Sequence, residues 1–335
     1  MTSKPSAVVT GGAGFVGSHL VDLLVERGYR VRIIDDLSGG HEKNIRHHEG
    51  NADVEFVSAD VRRLDAASTI FAGARYVFHL AGIGDIVPSV ERPADYMDIN
   101  VQGTVKVLEA ARFAKVEKLV YAASSSCYGI AKELPTTELA PIDPQYPYAL
   151  SKLLGEQAVH HWGAVYGLPA NSIRIFNAYG PRSRTTGAYG AVFGVFLAQK
   201  LANQPFTVVG DGEQSRDFVF VTDVAAAFLA AAEATHAGRV YNLGASSPQS
   251  VNRLIELLGG EVIYIPDRPG EPRCTWADTA RITAELQWAP QTTFEAGVAQ
   301  MLAVIDDWRE APVWNPATIE QATKSWFDAL AADAP

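Results

Sequence analysis

Short apolar, β-branched runs alternate with longer segments of helical periodicity over the first half of the chain. The apolar runs are AVVT at 7, RVRIID at 30, VEFVS at 54, YVFHLA at 76, KLVYAA at 118 and NSIRIF at 171. Residues 96–114 and 148–167 repeat apolar positions at helical spacing, and Gly167 suits a C-cap. The alternation predicts parallel strands joined by crossover helices, and strands apolar on both sides predict helices on both faces of the sheet.

The fold class predicted from this pattern is α/β, a Rossmann-type doubly wound parallel sheet. After about residue 176 the alternation fails, and Gly, Pro and aromatic residues interleave with short helices. We interpret residues 1–176 as the domain that carries the sheet and residues 177–335 as a smaller mixed lobe, partly interwoven with it. The final segment predicts an amphipathic helix with Ile319, Ala322 and Trp326 on one side, whose expected role is packing.

Composition narrows the functional classes. The 335 residues carry a formal net charge of −10, which argues against binding nucleic acid or an anionic membrane, because both need a basic face. Two cysteines cannot form a disulfide framework, the N-terminal segment lacks the apolar core of a signal peptide, and every long apolar segment is interrupted. We therefore expect a cytoplasmic protein. The histidine pairs at 47–48 and 160–161 lack metal-site spacing, so we expect solvated surface groups and no metal.

A glycine-rich turn follows the first predicted strand. Gly11, Gly14 and Gly17 stand at the mouth of an apolar helix, where glycines permit a tight turn and let the backbone approach a pyrophosphate. Asp35 ends the second predicted strand, about twenty residues on, where a carboxylate accepts hydrogen bonds from ribose hydroxyls and repels a 2′-phosphate. This favours NAD over NADP, and Asp36 is an alternative for the same role.

Candidate chemistry follows two later strands. Asp60 and Val61 end the third strand and could contact the adenine, although Asp60 equally suits a helix N-cap. Serines 124–126 end the fifth strand, and downstream Tyr148 and Lys152 are four residues apart, hence on one helix face. An ammonium beside a phenol lowers the phenol pKa and makes the phenolate a usable base. An exposed Tyr–Lys pair on a helix surface is the alternative, which the glycine turn upstream disfavours.

The order of motifs resembles the extended short-chain dehydrogenase/reductases that act on nucleotide sugars, and within them the UDP-galactose 4-epimerase type. The likeness covers nearly the whole chain. Its motifs are GGAGFVGSHL at 11–20, ADV at 59–61, FHLAG at 78–82, NVQGT at 100–104, SSSCYG at 124–129, YALSK at 148–152, RIFNAYGPR at 174–182, GDGEQSRDFVFVTDV at 210–224 and RPGEP at 268–272.

The resemblance implies roles for the residues that match these motifs. Ser124 would hydrogen-bond the sugar O4, Tyr148 would be the base, and Lys152 its electrostatic partner. Ser125 and Ser126 would line the sugar site. The cofactor would be NAD, and besides the residues already named its contacts would include Phe15, Val16, Leu80, Ala81, Asn100, Tyr148 and Lys152.

The nucleotide diphosphate requires its own donors, and the likeness assigns several. Asn177 would meet a phosphate and Arg216 the pyrophosphate, since guanidinium forks suit such contacts; a surface ion pair with Asp217 is the alternative for Arg216. Arg268 and Glu271 would contact the phosphate and ribose, with the reservation that RPGE here replaces the family's RPGD. Residues 206–210, including Phe206 and Val209, would contact the edge of the nucleotide base.

Two small residues bear on the sugar. Gly84 stands where some epimerases carry lysine, which suggests a roomier pocket, and Thr275 matches a position that faces the C2 substituent. Family members with tyrosine there are confined to unacetylated hexoses, so threonine predicts that N-acetylhexosamines fit. The alternative is that Thr275 only packs beneath Trp276.

The leading interpretation is an NAD-dependent 4-epimerase of a UDP-hexose or UDP-N-acetylhexosamine. Related dehydratases and decarboxylases carry acidic residues where this chain has Ser125 and Ser126, which disfavours elimination but leaves both as alternatives. A non-catalytic NAD-binding protein is the third possibility. The resemblance also implies a homodimer through helices around 95–113 and 148–166.

Overall fold

The computed structural model describes residues 4–185, 192–267 and 271–331. The prediction for Arg268 therefore lies outside the described residues. The strands are β1 (Ser6–Thr10), β2 (Arg30–Asp35), β3 (Val54–Ser58), β4 (Tyr76–His79), β5 (Lys118–Ser124), β6 (Ala170–Ile175), β7 (Asn177–Tyr179), β8 (Phe206–Val209), β9 (Ser215–Arg216), β10 (Phe218–Phe220), β11 (Arg239–Leu243), β12 (Gln249–Ser250) and β13 (Val262–Ile265).

The α-helices alternate with these strands through the first half of the chain. They are α1 (Phe15–Glu26), α2 (Ile86–Glu91), α3 (Pro93–Met97), α4 (Gly103–Phe113), α5 (Pro147–Tyr166), α6 (Val192–Leu201), α7 (Val221–Glu233), α8 (Val251–Leu258), α9 (Ala280–Leu286), α10 (Phe294–Ala303) and α11 (Pro316–Ala331).

The predicted Rossmann-type sheet is confirmed. Seven parallel strands lie in the order β11-β6-β5-β4-β1-β2-β3, and all six predicted apolar runs are strands of this sheet. The chain leaves β1 towards β2 and β3, then returns to place β4 on the other side of β1. The topological switch point, where doubly wound sheets bind ligands, is therefore between β1 and β4.

Helices cover both faces of the sheet, as the apolar strands predict. On one face α1 and α7 bury Leu20, Leu24 and Phe228 against the sheet, and on the other α4 and α5 bury Val107 and Val159. The outer strand β3 differs, because it has a neighbour on one side only and leaves Phe56 39% exposed.

The helix predicted over 96–114 is interrupted, whereas the next one is as expected. A π-helical turn, Asp98–Gln102, separates α3 from α4 and turns Asn100 into the interior. Such turns insert one extra residue into a helix and often occur at functional sites. The next helix, α5, ends at Gly167, which has a left-handed φ of 69° and donates its N–H to the Gly163 carbonyl at 3.1 Å.

The second half of the chain builds the smaller lobe around an aromatic core. Short pairs β7–β10, β8–β13 and β9–β12 surround Tyr179, Phe193 and Phe218. Because β11 returns to the large sheet, the two halves of the chain share it; the boundary at 176/177 stays a prediction. The C-terminal helix α11 packs as predicted, burying Ile319 and Trp326 and reaching α2 through Ser325 Oγ and Glu91 Oε1 at 3.0 Å. Within the described ranges, none of the helices combines the length and apolarity that a membrane crossing requires.

Candidate functional site

The glycine turn forms a cradle at the start of α1 that side chains would fill. A Cβ atom on Gly17 would lie 2.0 Å from the Gly11 carbonyl oxygen, and one on Gly11, whose φ is +70°, would lie 2.7 Å from the Ala81 nitrogen. Gly14 is the N-cap of α1, so the backbone N–H groups of Phe15 and Val16 in the first turn have no partner within the helix. This cradle fits an anionic pyrophosphate.

Asp35 lies beside the cradle and is hydrogen-bonded to it. Its Oδ2 accepts the Ala13 N–H at 2.9 Å and its Oδ1 accepts the Leu37 N–H at 2.8 Å. Burial raises the pKa of Asp35, and these two amide hydrogen bonds oppose the rise. Each carboxylate oxygen keeps a second lone pair, which ribose hydroxyls could use. The neighbouring Asp36 is exposed and lines a cavity of about 780 Å³ beyond β3, large enough for an adenine ring.

The residues after β3 and β4 lie at the same carboxyl edge of the sheet as the glycine turn. Asp60 caps a short 3₁₀ helix by accepting the Arg62 N–H at 2.9 Å. Hydrogen bonds from the Arg62 side chain lower the pKa of the Asp60 carboxyl. The N-cap alternative for Asp60 is therefore confirmed, and its contact with adenine stays a prediction. Val61 is buried under α4, while Leu80 and Ala81 are half-buried next to the glycine turn.

Asn100 holds the loop after β4 in place. Its Oδ1 accepts the Ile83 N–H at 2.9 Å, and its Nδ2 donates to the Ile83 carbonyl at 3.0 Å and to Ser151 Oγ at 2.9 Å. Both of its amide hydrogens are thus used within the protein. The structure gives Asn100 a positioning role beside Lys152, and a direct contact with the cofactor stays a prediction.

The sequence analysis missed a buried histidine, His79, which ends β4 and connects β1 with α4. His79 contacts Thr10 Oγ1 through Nδ1 at 2.7 Å and Thr104 Oγ1 through Nε2 at 2.9 Å. Burial lowers the pKa of His79 to about 3, so its ring is neutral. Since Thr104 donates its own proton to the Asn100 carbonyl at 2.6 Å, the ring must donate from Nε2.

The serine run ends β5 at the same edge of the sheet. Ser124 is the N-cap of a 3₁₀ helix, Ser125–Tyr128, and its Oγ accepts the Ser126 N–H at 3.2 Å. The hydroxyls of Ser124 and Ser126 lie 2.8 Å apart, and the Tyr148 hydroxyl reaches Ser124 Oγ at 3.4 Å. The structure therefore brings the serines and Tyr148 together, as the sequence predicts.

Lys152 follows Tyr148 by one turn of α5 and is buried. Its ammonium lies 4.4 Å above the centre of the Tyr121 ring, and burial lowers the pKa of Lys152 to about 7, against the attraction of Glu156. Contrary to the lowered phenol pKa that the Tyr–Lys spacing predicts, burial raises the pKa of Tyr148, and its hydrogen bond with Ser124 opposes this rise. The exposed-pair alternative is wrong, because Lys152 is buried and Tyr148 is half-buried, which leaves each sensitive to nearby charge.

Other side chains surround Tyr148. The Tyr96 ring meets it edge-on at 6.4 Å, and the Tyr146 ring lies parallel to it at 6.3 Å. A Cβ atom on Gly84 would contact the Tyr148 ring at 3.9 Å, so Gly84 is next to the base, where a larger side chain would narrow the site. Asp85 beside it pairs with Arg184 at 2.6 Å. The sequence analysis missed Tyr146 and the Asp85–Arg184 pair. A tyrosine directly before Pro147 is a local signal for Tyr146, whereas the ion pair has no such signal.

The lobe places Asn177 and Thr275 together, close to the serines. Ser124 pairs with Ile175 in the sheet, two residues before Asn177. Thr275 Oγ1 donates to Asn177 Oδ1 at 2.8 Å and accepts the Asp217 N–H at 3.3 Å. The hydroxyl of Thr275 is thus engaged within the protein; that the residue faces the sugar stays a prediction.

Asp217 is a fully buried carboxylate that shapes this part of the lobe. Backbone N–H groups of Ala245, Ala277, Ser246 and Ser247 donate to it at 2.8, 2.9, 3.2 and 3.4 Å. Burial raises the pKa of Asp217, and these four bonds oppose the rise. The surface ion pair of Asp217 with Arg216 is therefore wrong, because the carboxylate faces backbone amides.

Arg216 pairs with Glu271 instead, at 3.7 Å. Burial lowers the pKa of Arg216 and Glu271 opposes that effect, so the guanidinium lies in a partly desolvated site, which strengthens any contact with an anion. Phe206 is 1% exposed and stacks on Phe196, so its contact with a base would come from backbone atoms. Val209 is half-buried at the end of β8.

The histidine pair at 47–48 is not simply solvated, contrary to expectation. Both Nε2 atoms contact Asp22 Oδ1, at 2.7 Å from His47 and 2.8 Å from His48, and Arg182 pairs with Oδ2 at 2.7 Å. Three ligand atoms within 4.8 Å of one another could surround a cation. Arg182 already pairs with the Asp22 carboxylate, which gives that carboxylate a cationic partner within the protein. Of the second pair, His160 is also less exposed than expected, and burial lowers its pKa.

Comparison with protein families gives one match over most of the chain. Residues 7–244 match the family model described as the NAD dependent epimerase/dehydratase family. A putative UDP-glucose 4-epimerase from Methanocaldococcus jannaschii is 38% identical over 303 residues, which cover 88% of this chain and 96% of that protein.

Solved structures resemble the whole fold. The UDP-N-acetylglucosamine 4-epimerase from Methanobrevibacter ruminantium M1, in complex with UDP-N-acetylmuramic acid, superposes with a TM-score of 0.84 at 30% identity, covering 90% of this chain and 99% of that one. The UDP-glucuronic acid 4-epimerase from Bacillus cereus, in complex with UDP-glucuronic acid and NAD, gives 0.83 at 30% identity with the same coverage.

Proposed function

Because the chain belongs to the NAD-dependent epimerase/dehydratase family, with NAD as its cofactor, we propose that it inverts C4 of a nucleotide-diphosphate sugar. The observation that carries this proposal is the convergence of Tyr148, Ser124 and buried Lys152 at the carboxyl end of β5, next to the switch point of the sheet. The glycine cradle, Asp35 and the cavity beyond β3 fit the pyrophosphate, ribose and adenine of the dinucleotide.

The residues of the chain move the proton that the reaction requires. The glycine cradle and Asp35 would hold NAD, which when bound would supply the acceptance and return of the C4 hydride that inversion through a 4-keto sugar requires. Tyr148, as phenolate, takes the O4 proton while the hydride leaves, then gives the proton back as the hydride returns. Ser124 holds O4 by a hydrogen bond, and Lys152 stabilises the phenolate by its charge.

Epimerisation is favoured over dehydration by the two residues after Ser124. Elimination of water needs an acid or base besides Tyr148, and Ser125 and Ser126 offer only hydroxyls, which do not ionise near neutral pH. A dehydratase or decarboxylase remains the second candidate, because the family includes dehydratases.

The substrate we propose is a UDP-hexose or a UDP-N-acetylhexosamine. Asn177 and the Arg216–Glu271 pair supply polar groups for the diphosphate and ribose, with Arg268 expected to join them. The small side chain of Thr275 and the open position of Gly84 leave room for an N-acetyl group. The similarity to an epimerase that binds UDP-N-acetylmuramic acid supports that choice.

The activity test is incubation with UDP-glucose, UDP-N-acetylglucosamine, UDP-glucuronate and their thymidine counterparts, with separation of epimers and measurement of product mass. A product of unchanged mass and inverted C4 supports the proposal, and a loss of 18 mass units, one water, would make the enzyme a dehydratase. No turnover across the panel would favour the non-catalytic alternative.

The sugar is tested by Thr275→Tyr, with the exposed Thr235→Tyr as a matched control. We expect Thr275→Tyr to lower the activity on UDP-N-acetylhexosamines by about 10²-fold or more and to keep the activity on UDP-hexoses. A pocket excludes a group by steric clash more reliably than it rewards one. Equal loss of activity on both classes of substrate would show that other residues limit the size of the sugar pocket and that Thr275 only packs.

We also propose a homodimer through α4 and α5, supported by apolar residues exposed on these helices: Phe113, Leu150, Val165 and Tyr166. The division at residue 176 into a cofactor domain and a substrate lobe is part of the same proposal. The cytoplasmic location stays a prediction.

A further inference from the structure

The ammonium of Lys152 is buried and needs support to stay charged. Burial lowers the pKa of Lys152 to about 7, and the carboxylate that opposes this effect is Glu156, one turn further along α5. That carboxylate is already engaged by Arg174, whose Nε and Nη2 donate to its two oxygens at 2.9 and 2.5 Å. What Lys152 Nζ does contact is the face of the Tyr121 ring, 4.4 Å from its centre.

The Tyr121 ring is held firmly under α5. Tyr121 is fully buried in β5, where it pairs with His79 of β4 and Ser172 of β6. Its hydroxyl donates to the Lys152 carbonyl at 3.4 Å, and a Cβ atom on Gly155 would lie 2.3 Å from that hydroxyl oxygen. The helix lies this close to β5 because residue 155 has no side chain, and the close approach keeps the ring beneath Lys152.

The titratable groups around this contact come from three elements. In β5, burial raises the pKa of Tyr121 well above its usual range, so the ring stays a neutral phenol. In β4, the His79 ring lies 5.5 Å from that of Tyr121 and is neutral, because burial lowers its pKa to about 3. On α5 itself, Glu156 favours the charged form of Lys152, and Tyr148 is the proposed base. The negative face of a neutral aromatic ring attracts a cation more strongly in a desolvated site than at an exposed one.

We propose that Tyr121 is a positioning residue for Lys152: the face of its ring holds the buried ammonium by a cation–π contact and keeps it charged next to the base. This inference rests on the proposed function, in which a charged Lys152 stabilises the phenolate of Tyr148. It adds a residue to which the resemblance assigns no role. The strand β5 then supplies both Ser124 at its end and the support for the lysine.

The test changes the electron density of the ring and leaves its shape nearly the same. Tyr121 is replaced by phenylalanine and by mono-, di- and trifluorinated phenylalanines, incorporated into the full chain as unnatural amino acids. Fluorine withdraws electron density from the face of the ring, so the series weakens a cation–π contact stepwise while the side chain still fills its place beneath α5. Tyr121→Phe keeps the face of the ring and is the reference of the series.

Two measurements follow the series. NMR with isotope-labelled lysine, in which Lys152→Met assigns the Lys152 signal, gives the pKa of Lys152 without turnover, and kcat/KM against pH on the best substrate gives the basic limb of the activity profile. An ammonium loses its proton as the pH rises through its pKa, so a weaker contact lowers that pKa and moves the basic limb to lower pH. We expect both to fall by about half a pH unit or more from Tyr121→Phe to the trifluorinated ring.

Phe78 provides the matched control, because it is fully buried in the neighbouring strand β4 and packs in the core on the other face of the sheet. The trifluorinated ring at Phe78 should leave both values in place. A Lys152 pKa that does not fall along the series, or that falls equally with the Phe78 substitution, would overturn the proposal, and so would a fallen pKa with an unmoved basic limb. If the wild type turns over none of the sugars, the proposed function is refuted, and the NMR titration still decides whether the Tyr121 ring supports Lys152.

Discussion

The proposed base can be tested at the level of single atoms. Tyr148→Phe removes one hydroxyl and leaves the ring in its contacts with Tyr96 and Tyr146. We expect kcat to fall by about 10³-fold or more with little change in nucleotide-sugar affinity, because the group acts mainly in the transition state. Stopped-assay kinetics and calorimetry of substrate binding check the two halves of this expectation.

Ser124→Ala provides the graded comparison for that variant. It removes a hydrogen bond to the reacting oxygen and leaves the base in place, so the loss should be smaller, about 10²-fold. A Tyr148→Phe enzyme that retains a substantial part of wild-type turnover would disprove the assignment of the base.

Site residues could be predicted from the sequence where their spacing along one element fixes their relative positions. Gly11, Gly14 and Gly17 share a single turn, and Tyr148 and Lys152 share one face of a helix, so local periodicity is enough to place them. The role of Asp217 could not be predicted, because it depends on contacts between segments far apart in the chain. The ion pair of Arg216 likewise depends on which carboxylate the fold turns towards it.

At the scale of elements, the turn between β1 and α1 provides a prediction about the cofactor. Gly17→Ala would place a Cβ atom 2.0 Å from the Gly11 carbonyl oxygen, a distance that no real contact tolerates. Either the turn or the start of α1 must shift, and the pyrophosphate cradle with it. We expect the purified variant to retain at least tenfold less NAD than the wild type, measured by release on denaturation.

Gly39→Ala is the control for that variant, because a Cβ atom there meets open space. Its NAD content should equal that of the wild type. Equal NAD content in Gly17→Ala would show that the cradle does not determine cofactor retention.

The elements themselves divide into those set by local pattern and those set by tertiary contacts. Strand and helix alternation is a local pattern, and it predicts the seven-stranded sheet apart from β11, which comes from the smaller lobe. The π-helical turn between α3 and α4 has no comparable signal, since residues 96–114 read as one continuous helix. It forms because Asn100 gains partners at Ile83 and Ser151, which belong to other elements.

Among the exposed large apolar residues of the described ranges, four lie on α4 and α5, and four others lie in the segment 130–142. Phe113 of α4 and Val165 and Tyr166 of α5 are each at least half exposed, and Arg112 lies 4.9 Å above both aromatic rings. Trp162 Nε1 donates to Glu109 Oε1 at 2.7 Å and fixes the two helices to each other. Burial of such a patch against a second copy would remove apolar area from water at about 25 cal/mol per Å².

We therefore expect the wild type to be a dimer in light scattering across a range of concentrations, and Val165→Glu to shift it towards monomer. A carboxylate placed in an apolar interface must either lose its hydration without a partner or keep the two surfaces apart. Val313→Glu is the matched control, since Val313 is 45% exposed in a loop away from α4 and α5 and should tolerate the charge. A wild type that stays monomeric at all concentrations, or a Val165→Glu variant that dimerises as well as Val313→Glu, would contradict an interface formed by these helices.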